Sequence, residues 1–434
     1  MNLKGLIGNR IVKNASWLML GKIIHMVLSF IIGLITARYL GPSNYGLINY
    51  AAAYTTFFSS ICTLGINSII VKQFVDEPEN EGVNLGSAFV LRFISTFLSI
   101  GVIVFIVKVV DKGETVTLTV VTLYSLSLLF QVFDTFRQWF QAKLLSKYYA
   151  IATLVSYSLA SAYKVLLLVT GKSVEWFAIS NSIDFLIVAI LLFFFYKKCG
   201  GPSLSFSWGK AKDLLSLSYS YILSGMMTAI YSSTDKFMLK QFMDESVVGY
   251  YALAVTISNM WVFVLSAVIE SVFPSIMENH NKNKSKYIHA NKCLYAAVFY
   301  MSVVASVVIF LIAPYFIKIV YGEQYLPAVA PLRIVVWFVA FSYLGVARDA
   351  WIVCERKQKY LKYLYLGSAV LNIILNFLLI PVIGACGAAV ASLITQISTI
   401  FIFPAMIKDL RPNVKIMLDA IKLKGVFKTG EREE

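Results

Sequence analysis

The sequence has few of the residues from which disulfide frameworks and metal centres are built. Its 434 residues include only five cysteines and three histidines. Two of the histidines, His280 and His289, fall in one polar loop. The cysteines are scattered, odd in number and without close spacing: Cys62, Cys199, Cys293, Cys354 and Cys386. We therefore predict no disulfide framework, no bound metal and no cofactor.

Charged residues are also scarce, at 14% of the chain against roughly 25% in an average soluble domain. The chain contains no glycine-rich phosphate loop, no nucleophile elbow and no paired acidic motif. These absences disfavour an enzyme, and we predict that the protein is not one. Without a nucleotide site, any uphill transport must draw on an ion gradient or on the membrane potential.

Apolar residues, in contrast, make up 59% of the chain, and the mean hydropathy is +0.74. They are grouped in blocks of about 20 residues, the length of a helix that spans a bilayer. We predict an all-α integral membrane protein with about twelve transmembrane helices. The predicted spans are residues 12–37, 47–71, 85–110, 116–133, 148–170, 176–196, 214–234, 247–272, 293–313, 332–353, 363–383 and 388–407.

A long polar connection, residues 197–213, contains Cys-Gly-Gly-Pro and divides the predicted spans into two groups of six. The pattern predicts an N-terminal six-helix lobe at residues 1–196, a linker at 197–213, a C-terminal six-helix lobe at 214–407 and a basic tail at 408–434. The tail alternates apolar and lysine residues, which is typical of an amphipathic helix on a membrane surface. A disordered basic tail is the alternative.

The formal charge of +15 is distributed unevenly along the chain. With the N-terminus in the cytoplasm, the inner connections and termini carry about three times as many Lys and Arg residues as the outer ones. This bias predicts that both termini are cytoplasmic. It also explains the net charge by topology and by attraction to anionic lipid, so no nucleic-acid partner is predicted.

The first predicted span carries a polar seam at helical spacing that includes Lys22, His25, Ser29 and Thr36. A lysine and a histidine on one wall of a membrane helix are costly unless that wall faces water, a partner or a ligand. The alternative is a seam of small residues that only packs one helix on another.

Further ionisable residues fall inside the predicted spans. Arg92, like Lys22, has no acidic residue at its predicted depth, which predicts a cationic cavity suited to a phosphate or diphosphate. Lys164 and Asp184 lie at similar depth, so Lys164 either contributes to this cavity or is tied to Asp184 as an ion pair. Asp235, near the predicted outer surface, is a second candidate for an ion pair or for coupling to an ion.

Four segments carry motifs of a known family. They are Ala37–Gly46 (Ala-Arg-Tyr-Leu-Gly-Pro-Ser-Asn-Tyr-Gly), residues 134–142 (Asp-Thr-Phe-Arg-Gln-Trp-Phe-Gln-Ala), residues 235–239 followed by Val-Gly-Tyr-Tyr, and residues 371–381 with the glycines that follow. The chain resembles the bacterial polysaccharide-repeat flippases, the Wzx-type O-antigen transporters. These belong to the MATE-like multidrug, oligosaccharidyl-lipid and polysaccharide exporter superfamily.

The resemblance implies two six-helix lobes around a central cavity, alternating access, and a lipid-diphosphate-linked oligosaccharide moved from the cytoplasmic to the outer leaflet of the bacterial inner membrane. It also implies proton or sodium as the coupling ion, and polymerase and chain-length proteins of the same pathway as partners. The short motifs themselves are interpreted as structural. Gly41, Pro42 and Gly384 suit tight turns, and Asn372 and Asn376 can hydrogen-bond to a neighbouring helix.

On this resemblance we predict that Lys22, His25, Arg92 and Lys164 attract the diphosphate. Polar groups that would meet the sugars are Asn49, Asn67, Tyr231 and Asn259. Three alternatives remain. A cation-coupled multidrug antiporter would need an anionic cavity, a peptidoglycan lipid-precursor flippase would be expected to have two further C-terminal helices, and a membrane scaffold would have no use for unpaired buried charges.

Overall fold

The computed structural model describes the backbone of residues 3–427. Side chains are described for residues 26 and 28–427, apart from positions 68, 220, 223, 224 and 281. Throughout this part of the chain the regular structure is helical, without strands. The helices are α1 (Leu3–Cys62), α2 (Asn67–Asp76), α3 (Glu81–Val110), α4 (Thr115–Ser125), α5 (Ser127–Gln131), α6 (Thr135–Ala142), α7 (Lys147–Val169), α8 (Val174–Lys198), α9 (Trp208–Phe242), α10 (Glu245–Asn259), α11 (Val262–Lys282), α12 (Lys284–Val320), α13 (Val329–Cys354), α14 (Leu361–Ile397), α15 (Phe403–Met406) and α16 (Arg411–Ile421).

Eight helical segments of the described residues are long and apolar enough to cross a membrane. One of them, Gln358–Met406, covers the predicted span 363–383 and all but the last residue of the span 388–407. The segments expose many large apolar side chains, such as Phe105, Leu311 and Phe377, at 62–67% of their surface. Such side chains are favourable in lipid and unfavourable in water. The predicted all-α membrane class is confirmed.

Two of the longest helices are interrupted where the sequence places glycine. In α1, Gly41 has φ 72° and ψ 173°, so the helix breaks there and restarts at Pro42. In α14, Gly384 has φ 54° and ψ −130°. A positive φ is costly for other residues, and Gly accepts it without a steric penalty. In each long helix the break therefore falls between two of the predicted spans.

The predicted fourth span, residues 116–133, is broken and extended. The chain passes through α4, α5, a short 3₁₀ turn at Val132–Asp134 and α6, and remains helical to Ala142. At the first break, the amide of Leu129 donates to the carbonyl of Leu126, an i to i−3 bond. The sequence places Asp134 at the inner end of a span and Arg137 in the connection that follows. In the structure both residues belong to one continuous helical segment.

The chain divides into two compact units, Met1–Ser233 and Thr234–Glu434. The boundary falls within α9 and not within the predicted linker. Residues 201–207 of that linker have no regular secondary structure and lie along α3 of unit 1. There the amide of Ser205 donates to the carbonyl of Gly82 at 3.2 Å, and a Cβ on Gly86 would lie 2.2 Å from the carbonyl oxygen of Ser205.

The tail is helical over α16, which packs on α12 of unit 2. Lys292 on α12 donates to the carboxylate of Asp419 at 2.8 Å, and the amide of Asn413 donates to the hydroxyl of Tyr295 at 2.8 Å. Met417 is fully buried in the core of unit 2. Of the two alternatives for the tail, the structure therefore shows an amphipathic helix whose apolar side faces the protein.

Candidate functional site

Unit 1 encloses a polar cavity of about 310 Å³ between α1, α3, α5 to α8 and the turn before α6. Its walls carry two arginines and two aspartates, together with hydroxyl, amide and aromatic groups. The lining residues are Ser59, Thr63, Arg92, Phe130, Gln131, Asp134, Arg137, Tyr149, Thr153, Asp184, Phe185 and Val188. Within the described residues, the cavity therefore carries charges of both signs, whereas the sequence predicts a cationic one.

Arg92 is 3% exposed and reaches the broken segment between α5 and α6. It donates to the hydroxyl of Thr135 at 2.8 Å and to the carbonyl of Gln131 at 3.1 Å. A break in a membrane helix leaves backbone groups without helical partners, and the guanidinium satisfies one of them. Its Nε has no hydrogen bond within the described residues. Arg92 therefore links α3 to the broken segment at the cavity wall, and its buried Nε donor has no partner within the described residues.

Arg137 lies at the same cavity and is far more accessible, with 45% of its side chain exposed. Its guanidinium is 3.7 Å from the carboxylate of Asp134 and stands 4.5 Å from the ring centroid of Tyr149. Long, exposed ion pairs of this kind contribute about 0–1 kcal/mol. A stronger anionic ligand can therefore displace Asp134 from Arg137 at little cost.

The second aspartate of the cavity, Asp184 on α8, is bound to a neighbouring helix. It accepts a hydrogen bond from the hydroxyl of Ser156 on α7 at 2.5 Å. Lys164 is half-buried on α7, is absent from the cavity lining and forms no ion pair with Asp184 within 4.0 Å in the described part of the chain. Of these two residues, the structure brings only Asp184 to the cavity.

A neighbouring cavity of about 330 Å³ in unit 1 shares Ser59, Gln131 and Phe185 with the first. It adds Thr56 and Asn181, among others, so the two cavities adjoin along the second half of α1. Thr56 on α1 and Thr63, just after its end, thus face open space.

The residues predicted to meet sugars lie elsewhere, since none of the four lines these two cavities. Asn49 donates to the carbonyl of Tyr45, and Asn259 donates to that of Val255, so both amides bond within their own helices. Asn67 begins α2, and Tyr231 is half-buried on α9. The side chains of Lys22 and His25 lie outside the described residues.

Unit 2 contains an enclosed carboxylate, Asp235 on α9, which is 6% exposed. It accepts hydrogen bonds from the amide of Asn376 at 2.6 Å, from the hydroxyl of Ser392 at 2.7 Å and from the hydroxyl of Tyr251. Asn376 also donates to the amide oxygen of Asn372 at 3.0 Å. Asn376 thus bonds to a neighbouring helix, as predicted, and Asn372 bonds to Asn376 within α14.

All the partners of Asp235 are neutral, and no cationic side chain lies within 4.0 Å of it among the described residues. The amide oxygen of Asn376 is buried without a partner. The cluster thus presents a carboxylate, an amide oxygen and hydroxyl groups, the hard oxygen donors that a small cation prefers. Protonation of the carboxylate would also remove the cost of the buried charge. Asp235 thus meets the chemical requirements of a cation or proton site.

The sequence profile of a family described as polysaccharide biosynthesis protein matches residues 35–330. The chain belongs to this family. The match covers the broken α4–α6 segment, both arginines of the unit 1 cavity and Asp235. Every charged group of the two sites therefore lies within the matched region of this polysaccharide biosynthesis protein. Among curated proteins, none matches the sequence significantly.

Solved structures share the fold of this polysaccharide biosynthesis protein at low sequence identity. The lipid II flippase MurJ, in an inward closed conformation, aligns with a TM-score of 0.74 and 15% identity, over 96% of this chain and 93% of that one. An inward-facing multidrug resistance MATE family transporter of the MOP superfamily aligns with a TM-score of 0.66 and 14% identity, over 92% and 96% of the two chains. The predicted two-lobe transporter fold is confirmed.

Proposed function

We propose that the protein is a flippase for oligosaccharide repeat units linked to undecaprenyl diphosphate, moving them from the cytoplasmic to the outer leaflet of the bacterial inner membrane by alternating access. The observation that carries the proposal is the cavity of unit 1, with two arginines on its wall, in a member of a polysaccharide biosynthesis family. Lipid-linked sugars must cross the membrane before surface polymers are assembled, and this step needs no covalent chemistry.

In this proposal Arg137 binds the diphosphate. Guanidinium and phosphate form paired, charge-assisted hydrogen bonds, which are about twice as strong as neutral ones. The 3.7 Å contact with Asp134 is weak and exposed, so a phosphate replaces that carboxylate without leaving a buried charge unpaired. Arg92 adds positive potential at the cavity wall. Lys22 and His25 remain proposed contributors to the same electrostatic attraction.

Asp235 is proposed as the coupling group. Transport without ATP requires a site whose occupancy by H⁺ or Na⁺ depends on the conformation. A carboxylate buried among neutral donors alternates between a protonated or cation-bound state and an anionic one, and the anionic state is the costly one in the membrane. The orientation with both termini in the cytoplasm, proposed from the charge bias, would place Asp235 near the outer surface.

Deletion of the gene tests the proposal in the cell. We expect loss of one surface glycan, with its repeat units retained on the lipid carrier inside the cell and restored export on complementation. Retention of a peptidoglycan precursor instead would favour the lipid-precursor flippase. Normal glycan and precursor pools in the deletion strain would contradict both flippase functions.

A second candidate function is the export of organic cations, because Asp134 and Asp184 place two carboxylates on the cavity wall. This observation removes the argument that the cavity is purely cationic. An antiporter would leave the glycan of the deletion strain unchanged and make the strain more sensitive to cationic drugs. The same two measurements, glycan analysis and drug tolerance, therefore separate the two functions.

A further inference from the structure

Unit 2 contains a second cavity, of about 540 Å³, that is lined by groups other than those of the Asp235 cluster. Four parts of the chain meet there: the end of α11, the start of α12, the end of α13 with the turn after it, and the segment that leads into α16. Its lining residues are His280, Lys284, Tyr287, Ile288, Trp351, Glu355, Lys357, Lys408, Asp409, Pro412 and Ile416. Basic side chains thus outnumber acidic ones by two to one.

Both carboxylates of this cavity already have partners. Asp409 accepts from the ammonium of Lys357 at 3.0 Å and from the hydroxyl of Tyr360 at 2.6 Å. These hydrogen bonds, first that of Tyr360 and then that of Lys357, hold the pKa of Asp409 below its usual value, so the carboxylate is charged at neutral pH. Glu355 lies 3.5 Å from the Nε2 atom of His280.

Two lysines of the cavity, in contrast, have no carboxylate within 4.0 Å among the described residues. They are Lys284, in the first turn of α12, and Lys408, before α16, and both are exposed. Between them the cavity wall contains Tyr287, which is 3% exposed and packs edge-on against the ring of His280. Its hydroxyl is buried and interacts with the carboxylate of Glu355 at a distance too long for a regular hydrogen bond. The cavity therefore combines two uncompensated cations with a buried hydroxyl that makes no regular hydrogen bond within the described residues.

We propose that this cavity binds a phosphate group through Lys284, Lys408 and the hydroxyl of Tyr287. Phosphate oxygens accept from ammonium and hydroxyl donors at once, and two lysines without carboxylate partners favour an anionic ligand. The volume exceeds that of phosphate alone, so the phosphate would carry a further polar group. Two sources share this chemistry: the headgroup of an anionic lipid, since basic pockets between membrane helices bind such headgroups, and a soluble phosphorylated metabolite.

Occupancy would connect the tail to the helices of unit 2. Lys408 leads into α16, whereas Lys284 begins α12, so one phosphate held by both lysines ties α16 to the end of the bundle. The existing contact between α16 and α12, from Lys292 to Asp419, lies on the same two helices. Binding there would therefore strengthen the contact between α16 and α12, and the proposed site shares no residue with the cavity of unit 1.

Native mass spectrometry and thermal unfolding of the purified full-length protein in neutral detergent test the proposal. The probes are phosphatidylglycerol, with zwitterionic phosphatidylcholine as its reference, and inorganic phosphate, with chloride as its reference. The test variant is K284Q/K408Q, and the control is K286Q/K415Q. The control removes equal charge from the same chain segments at exposed positions outside the cavity lining.

We expect the wild type and the control to bind at least one phosphate probe in preference to its reference. K284Q/K408Q should bind that probe at least roughly tenfold more weakly. Selective binding of phosphatidylglycerol would identify a lipid headgroup, and binding of inorganic phosphate would identify a soluble ligand. Equal weakening in the two double variants, or no preference for either probe in the wild type, would overturn the proposal.

Discussion

The two units differ in how they accommodate charge within the membrane. Unit 1 places Arg137 and Asp134 on the wall of an open cavity, where they are separated by 3.7 Å and both partly exposed. Unit 2 encloses Asp235 among three neutral donors at 6% exposure. The first arrangement is weak and exchangeable, and the second is strong and closed. We interpret the open site as suited to a large ligand and the enclosed site to a small ion.

The difference follows from helix continuity. The segment from α4 to α6 is broken twice, and the breaks bring both side chains and backbone carbonyls to the cavity of unit 1. Around Asp235, α9 and the first part of α14 are continuous, so only side chains at successive turns, such as Asn372 and Asn376, reach the carboxylate. Irregular backbone within a membrane is stable only where protein or a water-filled cavity satisfies it.

The largest effect is expected from Asp235→Asn, which removes the enclosed charge and keeps its shape. The rate of transport driven by an H⁺ or Na⁺ gradient should fall roughly 100-fold, because the variant no longer alternates between two charge states. Reconstituted vesicles with imposed gradients measure this rate. Glu270→Gln, which neutralises an exposed carboxylate of the same unit, should leave the rate unchanged. If the Asp235→Asn protein still transports in response to the gradient, the enclosed site is not the site of ion coupling.

A smaller loss is expected from Arg137→Gln in the open cavity. The affinity for a diphosphate-linked lipid should fall roughly tenfold, the effect of one lost charge-assisted hydrogen bond. Titration of the purified protein with the lipid measures this affinity. Lys147→Gln is the matched control, since Lys147 is an exposed cation outside the cavity lining. Equal affinities of wild type and Arg137→Gln would show that Arg137 does not bind the diphosphate.

The contact between the linker and α3 tests how tightly this part of unit 1 is packed compared with the cavity. Gly86→Ala should lower the free energy of unfolding by about 1–3 kcal/mol, because its Cβ would overlap the carbonyl oxygen of Ser205. The thermal midpoint in detergent measures this change. Gly101→Ala, whose Cβ has no atom within 4 Å, should be neutral or stabilising by up to about 1 kcal/mol. A neutral Gly86→Ala variant would show that the linker does not depend on this contact.

The smallest effect is expected from Asn376→Ala. Asp235 would lose one of its three donors, and the free energy of unfolding should fall by about 1 kcal/mol. Asn259→Ala serves as a comparison, since that exposed amide bonds only within its own helix. If the thermal midpoints of the two variants are the same, the hydrogen bond from Asn376 to Asp235 contributes no more stability than the bond of an exposed asparagine.

The sequence predicted the parts of the fold that depend on apolar length and glycine. Blocks of apolar residues marked the spans because lipid accepts nothing else over that length. Gly41 and Gly384 marked the turns because few other residues adopt a positive φ without strain, and both have one. The asparagines of α14 were also predicted to bond to a neighbouring helix, although their acceptor, Asp235, could not be identified without the packing.

The cavity of unit 1 was predicted only in part. Arg92, a predicted site residue, lines this cavity, whereas Asp134 and Arg137, which also line it, were not among the predicted residues because the charge count placed Arg137 in a connection. An acid and a base three residues apart, directly after an apolar block, were the available signal for a helix that continues. The cationic cavity stays a prediction, and the described lining adds carboxylates from α8 and from the turn before α6, which come together there only through tertiary packing.

Translocation of a fluorescent, diphosphate-linked oligosaccharide lipid in proteoliposomes tests the central claim most directly. Reduction of the fluorophore by an impermeant reagent reports which leaflet holds the lipid. The account predicts protein-dependent exchange that is retained in Lys147→Gln and strongly slowed in Arg137→Gln. Exchange no faster than in protein-free vesicles, together with uptake of an organic cation by the same preparation, would contradict it.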